Sequence, residues 1–315
     1  MLTKVRCALG ITFAVAILLG PGATPASAAF VFTTIDAPLA GAGGTTPNDV
    51  EGNRIVGSFL DAAGVRHGFL YDGSTWTTLD HPNAAVPRGT EAYGISGGTI
   101  CGTFVDSTGQ TFGFLYDGAN WTTLQRAPLA GGPADTFARG ISDGTVVGYS
   151  IESLAARGFA YRAGTFTDVM IPGSIGTFPQ DVDGGRIVGT FDDALGTHGF
   201  LLDGVAIQTL DHPLGLLGTF VNGVDGTRVV GNYLDLLDGS SHGFLVEGSN
   251  YTPIDVPGAT DTAATGVYGN RVVGTYVDAA GLTHGFVTTI PEPAGIVTFL
   301  FVLGPAALRV RPRRR

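Results

Sequence analysis

The sequence predicts an all-β fold: a six-bladed β-propeller of four-stranded blades, closed by the N-terminal strand. The first observation is a tripeptide with the pattern X-Gly-Phe, which recurs six times at intervals of 41 to 45 residues. The second is that several short β-rich segments fit into each interval, as is typical of propeller blades. The third is an isolated strand before the first unit and a missing strand in the last, so ring closure would complete the sixth blade.

Two motifs mark the fixed points of each unit. The central glycines of the tripeptides are Gly68, Gly113, Gly158, Gly199, Gly243 and Gly285. Upstream of each tripeptide, a β-rich run ends in one of the glycines Gly57, Gly102, Gly148, Gly189, Gly231 and Gly274. Histidine opens four tripeptides, at His67, His198, His242 and His284, whereas Phe112 and Arg157 replace it in units two and three. The units therefore share one frame that tolerates local substitution.

The second unit illustrates the four strands, which we designate a to d. Strand a is predicted over 92–96, b over 99–106, c over 111–116 and d over 120–125. An Asp-Gly pair between c and d is typical of a tight hairpin turn, because this pair tolerates positive φ. A longer loop with a proline follows each d strand. This connection is the one that must cross from the outer edge of one blade to the inner edge of the next.

The phase of the repeat predicts how the ring closes. Residues 30–36 resemble a d strand but have no a, b or c strand before them. The last unit has a, b and c strands, but it reaches Pro291 without a d strand. A β-solenoid or tandem β-sandwiches are alternative folds, and neither explains the isolated strand.

The N-terminal segment predicts export. Lys4 and Arg6 precede a short apolar stretch over 8–19, and Ala26-Ser27-Ala28 is a small-residue cleavage site. This order of charged, apolar and small residues is typical of a secretory signal peptide. We therefore expect a signal peptide over 1–28 and a repeat domain over 29–290. Removal of the peptide would leave Cys101 as the one cysteine, at a repeat position where the other units have valine, so we expect a buried apolar residue there.

The C-terminal segment, 291–315, has three parts. Pro291-Glu292-Pro293 is followed by an apolar run over 294–308, and the last residues are arginine-rich, ending in Arg313, Arg314 and Arg315. This order resembles the PEP-CTERM sorting domain of Gram-negative bacteria. The resemblance implies an anchor helix that holds the chain in the membrane before processing, and an exosortase-type enzyme as the partner that recognises the Pro-Glu-Pro motif. It also implies a final location at the cell surface or outside the cell.

The repeats resemble those of extracellular proteins with a His-Ala-Phe (HAF) motif, which is His-Gly-Phe in four units of this chain. The resemblance covers nearly all of 29–290 and implies an extracellular repeat protein. It implies no specific activity. Composition agrees with this class, because the segment between the two ends carries 10 arginines and 26 acidic residues, a net charge of −16. A body this acidic predicts no binding of nucleic acid, which requires a basic surface.

No motif predicts catalysis, a metal or a cofactor. The four tripeptide histidines should lie one blade apart, too far for a shared ion with bonds of about 2 Å. The aspartates of the b–c turns fit ordinary turn chemistry, and no pair of catalytic carboxylates is evident. We therefore expect a binding or structural module and no enzyme. The alternatives are a carbohydrate-active enzyme on a propeller scaffold and a purely structural surface component.

Six residues stand out as a candidate binding site because they differ while their neighbours repeat. They precede the Gly/Asp-Val/Ile pair of each a strand: Asn48, Tyr93, Arg139, Gln180, Asn222 and Thr265. Their place in the repeat predicts a ring at the channel mouth, on the face of the d–a loops and b–c turns. A polysaccharide is the ligand class we consider. The alternative is that these residues only solvate the inner edge of the blades.

Overall fold

The computed structural model describes residues 29–129, 134–152 and 155–292. The predicted signal peptide and the C-terminal segment from Pro293 onward, with Arg313, Arg314 and Arg315, lie outside these residues. Residues 30–290 form one compact unit. In the described ranges, no helix is long and apolar enough to span a membrane.

The described residues form 24 strands in six four-stranded antiparallel sheets, which confirms the predicted propeller. Blade one contains β2 (Thr45–Glu51), β3 (Arg54–Leu60), β4 (Arg66–Tyr71) and β5 (Trp76–Leu79). Blade two contains β6 (Thr90–Ser96), β7 (Thr99–Val105), β8 (Thr111–Tyr116) and β9 (Trp121–Leu124). Blade three contains β10 (Asp135–Ser142), β11 (Thr145–Glu152), β12 (Ala155–Arg162) and β13 (Thr165–Asp168).

The remaining three blades follow the same order. Blade four contains β14 (Gly176–Asp183), β15 (Arg186–Asp192), β16 (Thr197–Asp203) and β17 (Ala206–Thr209). Blade five contains β18 (Thr219–Asp225), β19 (Arg228–Leu234), β20 (Ser241–Glu247) and β21 (Asn250–Ile254). Blade six contains β22 (Asp261–Tyr268), β23 (Arg271–Val277), β24 (Thr283–Thr289) and the N-terminal strand β1 (Phe32–Ile35).

Blade six confirms the predicted closure. Strand β1 pairs antiparallel with β24, in a register that places Phe32 opposite Thr288 and Ile35 opposite Gly285. The innermost strands also form a complete ring, since β2 packs against both β6 and β22. The N-terminal strand therefore supplies the outer strand of the last blade, and the ring of sheets has no gap between its ends.

The two sequence motifs meet in the core of each blade. The tripeptide phenylalanines are at most 1% exposed: Phe69, Phe114, Phe159, Phe200, Phe244 and Phe286. A Cβ atom on Gly231 would lie 2.1 Å from the carbonyl oxygen of Phe220 and 2.8 Å from the ring of Phe244. Strand b therefore needs a glycine here, because the backbone of strand a and the phenylalanine ring leave no room for a side chain.

Buried threonines fix the entry of the chain into each blade, a feature that the sequence did not lead us to predict. They are at most 3% exposed and occupy the first or second position of strand a: Thr45, Thr90, Thr136, Thr177, Thr219 and Thr262. Each hydroxyl accepts a hydrogen bond of 2.8–3.1 Å from a backbone N–H of the preceding d–a loop. The donors are Ala37, His81, Arg126, Ile171, His212 and Val256. The same bond thus anchors all six blade-to-blade crossings.

Cys101 occupies the apolar environment predicted for it. Its side chain is fully buried and packs with Ile141 and Val146 of the next blade. Burial raises the pKa of the thiol above its usual range. The residue therefore acts as a small core side chain of the interface between blades two and three.

Candidate functional site

The six candidate residues share one backbone feature. Each is the extra residue of a β-bulge in strand a, where the pairing with strand b shifts by one residue. In blade one, for example, Pro47 faces Gly57 and Asp49 faces Val56, which leaves Asn48 without a partner. A bulge re-aims the side chain of its unpaired residue and is common beside functional sites. Because the bulge recurs in every blade, the six side chains reach the same level of the channel.

These side chains line one cavity of about 260 Å³, which we call the loop-side cavity. Its lining comprises Asn48, Tyr93, Arg139, Gln180, Asn222 and Thr265, together with Asn232 and Ala263. The six residues lie at the middle of each strand a, and Ala263 lies nearer the end of its strand that follows a d–a loop. Hydrogen bonds such as those from Arg66 N to Pro87 O and from Ala85 N to Val105 O place these loops against the b–c turns. The cavity therefore occupies the half of the channel nearest that face.

Arg139 and Tyr93 form the centre of one wall. The Arg139 guanidinium carbon lies 4.0 Å from the centroid of the Tyr93 ring and 5.7 Å from that of Tyr149. The Arg139 Nε donates to Gln180 Oε1 at 3.0 Å. The Tyr93 hydroxyl donates to Glu91 Oε2 at 2.7 Å, and burial raises its pKa. The cation thus lies against aromatic faces, an arrangement that strengthens when water is excluded.

The other wall is made of short polar side chains that bind neighbouring blades. Asn48 Nδ2 donates to Ala92 O at 2.7 Å, and Asn222 Nδ2 donates to Ala264 O at 2.9 Å. The Thr265 hydroxyl donates to Pro47 O at 2.8 Å, which joins blades six and one. These bonds hold the side chains in place, so the cavity is preformed and is not a loose ring of solvated groups.

The opposite half of the channel is acidic, and sequence reasoning did not single out its residues. Asp49 and Asp181 follow bulge residues in blades one and four, at positions where the other blades have glycine. Burial in the channel wall raises the pKa of Asp49 to about 7 and raises that of Asp181 well above its usual range. Asp49 Oδ2 accepts from Ile95 N at 2.8 Å, and Asp181 Oδ2 accepts from Val224 N at 2.9 Å. Both carboxyl groups therefore join adjacent blades. The sequence signal that could have revealed them is aspartate in two blades at a position where the other four have glycine.

The tripeptide histidines line neither the loop-side cavity nor the acidic half of the channel. Each contacts an aspartate of the b–c turn and an aspartate at the end of strand d; in the last blade, for example, these are Asp278 at 3.4 Å and Asp36 at 2.8 Å from His284. The Asp36 contact raises the pKa of His284. The other three histidines, at 67, 198 and 242, have equivalent pairs of contacts. Each histidine thus links the b–c turn to the end of strand d on the loop face. In the described part of the chain, no group of three or more side chains could hold a metal ion.

His81 and His212, from the two Leu-Asp-His-Pro segments, are packed differently. Their rings stack on Phe104 and Tyr233 at centroid distances of 3.6 and 3.7 Å. Burial lowers the pKa of His81 to about 4, so this imidazole is neutral under ordinary conditions. Neither histidine lines the loop-side cavity.

Comparisons with known proteins found similarity to solved structures at low sequence identity. No protein-family model and no curated protein matches the sequence. Similar solved structures include the β-propeller domain of the Trilobed protease from Pyrococcus furiosus, with 13% identity, 79% and 95% of the two chains covered and a TM-score of 0.48. A mutant of Aleuria aurantia lectin in complex with α-methyl-L-fucoside has 13% identity, 84% and 97% coverage and a TM-score of 0.43. The acylaminoacyl peptidase of Pyrococcus horikoshii has 9% identity, 79% and 46% coverage and a TM-score of 0.45. At these values the similarity says nothing about activity or ligand.

Proposed function

We propose that this chain is an exported cell-surface or extracellular-matrix protein whose propeller binds a saccharide in the loop-side cavity. The observation that carries the proposal is the ring of six bulges with six unlike residues. Within an otherwise repeated frame, equivalent backbone positions present an aromatic ring, a guanidinium, amides and a hydroxyl to one cavity. A channel that needed only solvation would be served by the same small polar residue in every blade.

The chemistry of the cavity favours a saccharide over an apolar ligand. Seven of the eight lining residues carry a polar group, and the side-chain amides and the hydroxyl are donors and acceptors that match sugar hydroxyls. Small apolar molecules, in contrast, select pockets lined mostly by apolar side chains. A saccharide that enters from the loop face would meet Tyr93 and Arg139 together.

The test is a binding screen of the purified full-length chain against a panel of oligosaccharides, followed by substitutions on the two faces. We expect Tyr93→Ala and Arg139→Ala each to weaken binding by about 10-fold or more, since each removes an interaction of roughly 1–3 kcal/mol. Asp72→Asn and Asp117→Asn are the controls. They lie in c–d turns of the opposite face and keep the oxygen that accepts the backbone N–H groups of those turns.

The melting temperature of each variant separates loss of binding from loss of folding. Loss of binding in the two turn variants, with normal binding in the two cavity variants, would contradict the assignment of the face. Release of a shortened sugar during incubation would favour the alternative, a carbohydrate-active enzyme. Failure of every saccharide to bind would favour a purely structural component.

The proposal also includes export of the chain to the cell surface and processing of its C-terminal segment. It rests on the resemblance of Pro291-Glu292-Pro293, the apolar run and Arg313 to Arg315 to the PEP-CTERM signal, with an exosortase-type enzyme as the partner. Mass spectrometry of the exported protein should find a new C-terminus close to residues 291–293. An intact Arg315 on all exported molecules would contradict processing.

A further inference from the structure

The Arg139 guanidinium has an unfilled side that faces the loop-side cavity. Its Nε donates to Gln180, and its flat face lies on Tyr93. Among the described residues, no carboxylate lies within 4.0 Å of the guanidinium; the Tyr93 hydroxyl also interacts with it, and Glu91 acts on it from a greater distance. A half-buried cation without a counter-ion has lost hydrogen bonds to water, which costs free energy. An anion that accepts hydrogen bonds from the guanidinium restores part of that free energy.

The charges around Arg139 favour a ligand group that carries a single negative charge. Glu91 stands two residues before Tyr93 in the chain. Its carboxylate already pairs with Arg66 at 2.9 Å and accepts a hydrogen bond from the Tyr93 hydroxyl at 2.7 Å. Among the described residues that line the loop-side cavity, Arg139 is the one cation. A guanidinium fork matches the two oxygens of a carboxylate, whereas a doubly charged phosphate would need a second cation to neutralise it.

Of the four amides that line the cavity, Asn232 is bonded at both ends, and the other three each use one end on the described part of the protein and leave the other end free. Asn48 and Asn222 donate through Nδ2 to backbone carbonyls, and no described residue donates to their Oδ1 atoms. Gln180 accepts through Oε1 from Arg139, and its Nε2 has no described acceptor. Two free acceptors and one free donor beside a cation fit a ring of hydroxyl groups that carries one acidic group.

The size of the cavity and the charge of the body limit how this ligand enters. A volume of about 260 Å³ is just below the ~300–1,000 Å³ of typical ligand pockets, so one sugar unit enters and an extended chain does not. The body between the two ends has a net charge of −16, which repels a polyanion from the surface. A single acidic unit at the end of a neutral chain meets both limits.

We propose that the loop-side cavity binds the carboxylate-bearing terminal unit of an otherwise neutral saccharide, end-on, with Arg139 as the partner of the carboxylate. This inference rests on the proposed function and narrows the saccharide ligand to one chemical class. Gln180 holds the guanidinium in place, and the free ends of Asn48 and Asn222 accept hydrogen bonds from the sugar hydroxyls.

The experiment is calorimetric titration of the purified full-length chain with two matched probes. One is a neutral oligosaccharide capped by a hexuronate, and the other is the same oligosaccharide with the carboxylate reduced to a primary alcohol. We expect about 10- to 100-fold tighter binding of the acidic probe, because a charge-assisted hydrogen bond is lost with the reduced probe. This comparison uses the unmodified protein and does not depend on how a variant folds.

Arg139→Gln should remove the preference, so that both probes bind with the weaker affinity. Arg162→Gln is the matched control, because Arg162 is an exposed arginine of the same blade that does not line the cavity. Its preference for the acidic probe should be unchanged. Free hexuronate and acetate distinguish the source of the carboxylate, and both should bind more weakly than the capped oligosaccharide.

Equal affinity of the unmodified protein for the two matched probes would overturn the inference and leave the proposed function intact, provided that Tyr93→Ala still weakens both. A preference that survives in Arg139→Gln would also overturn it. If acetate binds as tightly as the capped oligosaccharide, the site takes a small carboxylate and the saccharide part of the inference is wrong. Absence of binding by every probe would contradict both proposals together.

Discussion

Thr219 illustrates, at the scale of one residue, how a buried hydroxyl directs the chain between blades. The side chain is 1% exposed and accepts a 2.9 Å hydrogen bond from the backbone N–H of His212, in the loop that enters blade five. A buried N–H group without a partner costs the free energy of its lost hydration. The hydroxyl removes that cost at the one point where the loop leaves the surface and joins the inner strand.

Thr219→Val should therefore lower the free energy of unfolding by about 1–3 kcal/mol, since valine keeps the shape and removes the acceptor. Thr252→Val is the matched control, because Thr252 is an exposed residue of the same blade and its change should lie within roughly 0.5 kcal/mol of zero. Urea denaturation of both variants measures the difference. Equal stabilities would show that water replaces the hydroxyl and that the bond does not fix the crossing.

The sequence contains a signal for this threonine in its spacing from the bulge residue. Each of the six threonines stands three residues before a bulge residue, as Thr219 does before Asn222 and Thr90 before Tyr93. The glycine motifs are the more conspicuous feature of the repeat, and threonine is common in strands for reasons of packing alone. The invariant spacing shows that the residue belongs to the frame, but only the structure shows which donor it meets.

At the scale of the strand, the blades were predictable and the bulges were not. Glycine motifs, tight turns and alternating strands indicated four strands per unit, and the observed bounds differ by one or two residues, as in strand a of blade two, predicted from Ala92 and observed from Thr90. A bulge adds one residue without changing the residue types around it, so its position is not visible in a periodic pattern. The six candidate residues were found by their variation, whereas their common orientation follows from the bulge.

The contacts within the candidate site depend on geometry that the sequence does not state. The sequence predicted Tyr93 and Arg139 only as two members of the ring at the channel mouth. The structure places the guanidinium 4.0 Å from the centroid of the tyrosine ring, so that the two groups form one unit. They belong to different blades and are 46 positions apart in the chain, and only the curvature of the ring brings them together.

In blades two and three, another residue replaces the tripeptide histidine, and that residue makes its own contact in place of those of the histidine. In blade two, Phe112 replaces the tripeptide histidine, and its ring stacks on Phe104 at a centroid distance of 5.4 Å. The d-strand aspartate that would contact a histidine is replaced there by Gln125. In blade three, Arg157 takes the position and pairs with Asp168 at 2.7 Å. The paired changes show that the position links strand c to its surroundings in every blade, by charge or by stacking.

At the scale of the whole molecule, stability depends on the junction between the two ends of the repeat domain. The Phe32 ring packs edge-on against Phe286 at 5.3 Å, and Asp36 contacts His284 at 2.8 Å. Thr265 and Arg271 of blade six bind Pro47 O at 2.8 Å and Gly52 O at 2.6 Å in blade one. The first pair of contacts completes a sheet and the second joins two sheets, so closure uses both the N-terminal strand and the inner ring.

Deletion of residues 30–36 should lower the melting temperature markedly and cause aggregation. The deletion exposes the edge of β24 and removes the buried Ile35 and the half-buried Phe32, worth at most ~3–6 kcal/mol together, a large part of a typical stability of about 5–15 kcal/mol. Moving the same seven residues to follow Ile290 is the matched control, because the strand can then pair with β24 from the other end of the chain. Thermal unfolding and light scattering of the two proteins measure the effect. An unchanged melting temperature after deletion would contradict closure by β1, and a permuted protein as unstable as the deletion would show that the strand must be joined to the d–a loop through Ala37 to complete the ring.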